Sequence, residues 1–248
     1  VVPEQFSLQT MKDLITRSET KSMSNIEVLS FLRLSYRVFE ELGIVPGELL
    51  SDTGKSLLVK RMVSRFSKEL RVFAPNVRKV GFVDEMKSLI SEFYQYGVTP
   101  EGLKEMIKTS ENEPVLYRKL LDVEVVYRAF SEFIEGKFLA TETVSDVLAG
   151  VIEESSLLAD CDVFFDGFTG FTPSQYGLLT KLFGKANHCY MTLTAEETAP
   201  EALAEHGLFY LTLHTKAVVS RLAETAGCPV ETLVLAPSEG APRFSGAP

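Results

Sequence analysis

The sequence predicts an α/β fold: a parallel sheet flanked by helices, with an all-helical subdomain inserted between its strands. Three observations predict it. Short apolar strands alternate with amphipathic helices towards both ends of the chain. Between these two regions, roughly a hundred residues show helical periodicity and little else. The run Asp162-Val163-Phe164-Phe165-Asp166 is continuously apolar between its two acids, the pattern of a strand in a parallel sheet covered on both faces.

Taken in order, Val1-Val2-Pro3 reads as the end of a buried strand, so a first strand and its loop are expected upstream of Val1. A helix is expected over about 7–17 and a short strand over 25–29. Ser30 is placed to cap a helix over 31–42, where Leu32, Tyr36 and Phe39 fall three or four apart. Gly43 then stands where a left-handed C-cap is wanted. From Ser51 to about Ser156 no convincing strand is visible. Leu57, Leu58, Met62 and Phe66 mark one helix, and Phe82, Met86, Leu89, Ile90 and Phe93 another. Thr99-Pro100-Glu101 combines an N-cap, a first-turn proline and a first-turn acid. A long helix is predicted over 114–134.

After Leu158 the strand–helix alternation returns. The apolar strand ending at Asp166 leads into a loop over 167–172 and a helix over 173–183 closed by Gly184. A strand over 187–193, a helix over about 208–226 and a strand over about 230–235 complete the pattern. From Ala236 the Pro, Gly and Ser content predicts a frayed tail. The expected organisation is an α/β part over 1–50, a helical insertion over 51–156, a second α/β part over 157–235 and a flexible tail over 236–248.

A chain of 248 residues can bury a sizeable core, and 45% hydrophobic with 24% charged residues is ordinary for a globular protein. No apolar run approaches the roughly 18 to 20 residues of a membrane span, and no secretion signal is visible. Cys161, Cys189 and Cys228 lie far apart with no Cys-x-x-Cys, which suits a reducing cytoplasm better than a metal cage or disulfide framework. The net charge of −9 argues against a globally basic nucleic-acid binder. Residues 51–90 depart from it, with nine basic side chains against four acidic ones. Lys60, Arg61 and Arg65 lie in this stretch, which reads either as a solvated helix face or as a phosphate-facing surface.

Gly54-Lys55-Ser56 has the ending of a phosphate loop, but position 49 is Leu49 where the motif needs glycine, and 46–52 reads as a turn. A helix start capped by Asp52 is the better reading. Asp166 ends an apolar strand, where ligands of open α/β sheets bind and where phosphate-loop enzymes hold Mg²⁺. The same residue would serve equally well to satisfy loop amides. Asp160 and Asp162 need not converge with it. His188, His206 and His214 lack ligand spacing, and Ser30 and Ser174 lack a nucleophile elbow. Phe93, Tyr94 and Tyr96 have the chemistry to stack bases, but their helical spacing is that of core residues.

Three segments in this order carry a resemblance: Val2-Pro3-Glu4-Gln5-Phe6 with Gln9, Val28-Leu29-Ser30-Phe31 with Arg33-Leu34, and Asp166-Gly167-Phe168-Thr169-Gly170-Phe171-Thr172-Pro173 with Gln175. Together they resemble the B subunit of the bacterial AddAB (RexAB) ATP-dependent helicase–deoxyribonuclease over nearly the whole chain. The resemblance implies a RecA-like, P-loop NTPase-type domain of a superfamily 1 helicase with its helical insertion. Active relatives carry Asp-Glu at the strand end. Here Asp166 matches the Mg²⁺-binding acid as a vestigial site, while Gly167 replaces the glutamate that orients water. After the next strand stands Thr192-Leu193-Thr194-Ala195-Glu196 in place of the motor's Gly-Asp and Gln.

The resemblance places the phosphate loop upstream of Val1 and the nuclease domain, with its iron–sulfur cluster, beyond this chain. It therefore implies no catalytic residue and no cofactor here, with ATP, Mg²⁺ and the cluster belonging to the full-length protein. Gln5, Ser30 and Arg33 fall in the family's single-strand path, or alternatively serve as a strand-end cap (Ser30) and a solvated helix position (Arg33). The implied role is a non-motor domain that guides single-stranded DNA during double-strand break resection and recombinational repair, in a cytoplasmic heterodimer with the A subunit. The alternatives are an active nucleotide hydrolase and a purely structural interaction module.

Overall fold

The computed structural model describes residues 1–195 and 207–234. Its first helices form where local chemistry asks for them. Val1–Pro3 is extended, and a 3-10 turn over Glu4–Phe6 runs into helix α1, Ser7–Arg17. Helix α2, Phe31–Leu42, starts at Ser30, whose side chain accepts a hydrogen bond from the Arg33 amide. It ends at Gly43 in the left-handed conformation, φ 65°, where a residue with a Cβ would be strained.

The principal sheet is parallel. Strand β3, Asp162–Phe165, pairs with β4, His188–Met191, in the register Val163↔Cys189 and Phe165↔Met191. The N-terminal ammonium of Val1 donates to the Phe164 carbonyl and the Asp166 amide donates to the Val1 carbonyl at 3.0 Å, so the first residues run parallel along the other edge of β3. Beyond them, the Val2 amide donates to the Leu29 carbonyl at 2.9 Å. Helix α8, Pro173–Phe183, crosses from β3 to β4. It opens with a reciprocal capping box in which Thr172 and Gln175 satisfy each other's backbone amides.

Two cores divide the chain. One gathers Phe31, Val38 and Phe39 of α2 with Val163, Phe165 and the apolar face of α8. Helix α7, Val144–Val151, and helix α9, Tyr210–Thr225, complete it. The other lies wholly between Leu50 and Ala140. It is built by helices α3 (Asp52–Arg65), α4 (Phe82–Gln95), α5 (Pro100–Thr109) and α6 (Pro114–Ile134), with Val59, Ile90, Leu103, Val126 and Phe130 fully buried. Burial of each such side chain contributes about 2 kcal/mol, so each core is a substantial unit.

The chain leaves for the helical part through strand β1, Glu48–Leu50, and returns through β2, Phe138–Ala140. The two pair in parallel, Leu49↔Leu139 and Leu50↔Ala140. Because side chains alternate along a strand, Leu50 and Ala140 enter the helical core while Leu49 and Leu139 pack on the other. Beside this neck the Lys55 ammonium of α3 is buried against the Glu142 carboxylate and donates to Ser91 Oγ of α4 at 3.0 Å.

Several expectations are corrected. The change of core comes at Ala140 rather than at residue 156, because Val144, Leu148 and Ile152 turn their face to α2 and α8. The helical region is bounded by two three-residue strands instead of none. Ser51, not Asp52, caps α3, accepting from the Gly54 amide at 3.1 Å. No strand forms over 25–29 or 230–234, and Leu233 and Val234 are exposed. Residue 235 and the tail over 236–248, with Glu196 and His206, lie outside the described residues. Finally, among the described residues β3 is covered on one face only: Val163 and Phe165 are buried, whereas Phe164 and Tyr190 stack in the open with ring centroids 4.5 Å apart.

Candidate nucleic-acid interface

Parallel pairing brings the C-terminal ends of the extended segments to one mouth: Pro3, Asp166 and Thr192, with Ser30 beside them. At the end of β3 the Asp166 carboxylate accepts a hydrogen bond from the Thr192 hydroxyl at the end of β4. Gly167 follows with φ 79°, beside Pro3 and Phe6. The loop then folds its aromatic side chains inward. Phe168 and Phe171 pack on each other at 4.9 Å and both pack on Phe31, with Phe171 also against Phe165. Much of the Asp-Gly-Phe-x-Gly-Phe segment therefore anchors the strand end to α2.

At this mouth a single glutamate organises the candidate DNA contacts. Glu4 accepts from the Ser30 hydroxyl through one carboxylate oxygen and from Arg33 Nε at 3.3 Å through the other. Ser30 is 4% exposed and its hydroxyl also caps α2, so it serves here as a structural group. Arg33 is about half exposed and neutralised by Glu4, while Gln5 is exposed on the adjacent turn. Ser30 and Arg33 thus meet around Glu4, an acid that the motif contained but whose role its local spacing did not reveal, while Gln5 is only its neighbour in sequence.

Whether Asp166 fits a metal can be judged from its neighbours. Among the described residues no three His, Cys, Asp or Glu side chains are disposed to hold an ion. Asp162 is drawn to the far end of β3, where it meets His188 Nδ1 at 3.0 Å. A lone carboxylate engaged by a threonine hydroxyl does not make a resident Mg²⁺ site, and no chemistry is derived through one. Gly167 has no side chain to act as base or acceptor. Lys55, the lysine of the Gly-Lys-Ser triplet, is consumed by its buried ion pair and is not presented to a phosphate.

The second group of candidates lies elsewhere, on the helical part. Lys60, Arg61 and Arg65 project from α3 into solvent, and Lys68, Arg71, Arg78 and Lys79 follow on the exposed connection to α4. Among the described residues none of these seven has a carboxylate within ion-pair distance. Two are held by rings instead: the Arg61 guanidinium lies 5.5 Å from the Phe133 centroid and that of Arg65 lies 5.4 Å from Phe66. Lys137, just after α6, places its ammonium 4.8 Å from the same Phe133 ring. Lys137 was not legible as part of this surface, because it is 76 positions from Arg61 in sequence and only the packing of α3 on α6 joins them.

The connection that carries these charges is shaped from within. Asp122 of α6 is buried and accepts the amides of Arg71, Val72 and Phe73 at 2.9, 2.7 and 2.8 Å. One carboxylate so neutralises three backbone donors and leaves the cationic side chains outside. The geometry suits electrostatic contact with a polyanion; it does not suit catalysis.

Comparison with known proteins agrees with the resemblance read from the motifs. The family model described as ADDB, N-terminal, matches residues 1–248. The chain is 42% identical over 240 residues to the B subunit of the ATP-dependent helicase/deoxyribonuclease of Lachnoclostridium phytofermentans, covering 96% of this chain and 21% of that protein. It is 31% identical over 248 residues to the protein of the same name from Clostridium acetobutylicum, covering 100% of this chain and 21% of that protein. With the one from Moorella thermoacetica it shares 33% identity over 253 residues, 100% and 22% being covered. The chain spans about a fifth of the length of the curated relatives it matches.

Proposed function

The chain belongs to the AddB N-terminal family, and on that premise we propose that it is a non-motor, helicase-like domain that guides DNA within a helicase–nuclease. The α/β part is then a RecA-like half-site without hydrolytic chemistry, and the helical part is its inserted subdomain. The partner is the A subunit, which supplies the working motor, and the setting is resection of double-strand breaks for recombinational repair.

The observation that carries this reading is the strand end. Among the described residues Asp166 belongs to no group of three potential metal ligands, and Gly167 holds a backbone conformation that favours glycine over the glutamate a motor needs. The guiding role is supported by seven exposed cations on α3 and the connection to α4, none with an ion-pair partner among the described residues, in a chain whose net charge is −9. Such a surface concentrates phosphate contacts and gives binding that weakens steeply with salt.

Resection of blunt duplex ends by the assembled pair tests the proposal. Reversing Lys60, Arg61 and Arg65 to Glu is expected to slow resection and weaken end binding at physiological salt. Unchanged resection and end binding would favour a purely structural domain.

A further inference from the structure

The Phe133 ring gathers two cations from different elements, Arg61 of α3 at 5.5 Å and Lys137 at 4.8 Å. Like charges brought together repel, and among the described residues neither has a carboxylate within ion-pair distance to relieve it. The nearest acids in sequence do not help. Glu132 is engaged by Arg128 at 3.4 Å, and Glu135 caps the end of α6 without reaching either cation. Lys60 and Arg65 extend the same charge along α3, Arg65 one helical turn beyond Arg61.

We infer that Arg61, Lys137, Lys60 and Arg65 form a phosphodiester-binding ledge around Phe133, which takes the backbone of a nucleic acid without reading its bases. The inference rests on the proposed function and names the part of the surface that does the binding. A ring already covered by cations is not offered to a base, so Phe133 acts as a platform for charge rather than as a stacking residue. It holds a guanidinium and an ammonium at fixed positions before the ligand arrives, which lowers the ordering cost of two long side chains on binding. Arg61 supplies a fork that can bridge two phosphate oxygens, and Lys137 a point charge beside it. The sheet mouth contributes less, since Arg33 is already paired with Glu4.

The test is the salt dependence of DNA binding by the assembled full-length complex, measured on duplex and on single strands of two unrelated sequences. Each phosphate contact removed is expected to flatten the slope of log K against log salt by about 0.9 on duplex DNA. Arg61→Ala with Lys137→Ala should therefore flatten it by about 2, equally for both sequences. Phe133→Leu keeps an apolar side chain and every charge, and should weaken binding about two- to fivefold. Removing Arg118 and Lys119 at the other end of α6 should leave the slope as it was. An unchanged slope in the Arg61/Lys137 variant, or losses that depend on base sequence, overturns the ledge. The proposed function would survive that result where charge reversal at Lys60, Arg61 and Arg65 still slows resection of duplex ends.

Discussion

Gly167 packs beside Pro3 with φ 79°, and a Cβ built on it would sit 3.5 Å from the Pro3 Cδ. There is room for a side chain but the backbone opposes one, since a left-handed residue with a Cβ costs about 1–2 kcal/mol. Both Gly167→Ala and Gly167→Glu are therefore expected to lower stability by about that amount in thermal unfolding. Gly167→Glu is further expected to restore no ATP hydrolysis, because the new carboxylate would stand beside a single acid rather than in an assembled site. Turnover gained by this one substitution would contradict the reading of the strand end.

Lys55 and Glu142 pin the neck between the two cores. One Glu142 oxygen, Oε2, is buried with no hydrogen-bond partner, so the carboxylate depends on Lys55. Removing one member of a buried pair strands the other, at about 3–5 kcal/mol. Lys55→Met should cost in that range, while Lys55→Met with Glu142→Leu should recover most of it. Chemical denaturation of the four proteins of this cycle checks the expectation.

Asp122 anchors the connection between α3 and α4 through three amides. Asp122→Ala leaves those donors without acceptors, and a loss of about 3 kcal/mol is expected. Asp122→Asn should be intermediate, because its amide group presents hydrogens to donors. Amide exchange at positions 71–73 should accelerate in both variants before global unfolding does.

These groups show what was legible and what was not. Caps are local: Ser30, Thr99 and Thr172 each accept from a backbone amide three residues on, and the helices they start were readable from spacing alone. Partners are not local. Glu4 meets Ser30 and Arg33 across 26 and 29 positions, and Lys55 meets Glu142 across 87. The apolar face of α7 shows its period but not which core it joins, so the boundary was placed 16 residues late, at 156 rather than 140. Strands β1 and β2 have three residues each, too short for any alternation to show. Lys60, Arg61 and Arg65 were visible as charge, whereas the ring that joins Arg61 to Lys137 needed the packing of α3 on α6.

Glu41 fastens the turn after the 3-10 segment that follows α7. It accepts from the hydroxyls of Ser155 and Ser156 and from the Ser156 amide, which together hold its carboxyl below the ordinary value of 4.5. A depressed folded value means the contribution is fully present above about pH 4.5 and is lost as pH falls through the folded value. Glu41→Gln should therefore lose stability at pH 7 and show a smaller further loss on acidification than the parent chain. Thermal unfolding at pH 7 and at pH 3.5 compares them, and equal acid losses would contradict the assignment.

The central claim, that this domain does not hydrolyse nucleotide, is tested most directly on the full-length protein paired with a partner whose own motor has been inactivated. ATP turnover is measured with and without single-stranded DNA. The account predicts no DNA-stimulated turnover above the inactivated background, and no change on Asp166→Ala. Turnover at motor-like rates, stimulated by the strand and abolished by Asp166→Ala, would contradict it.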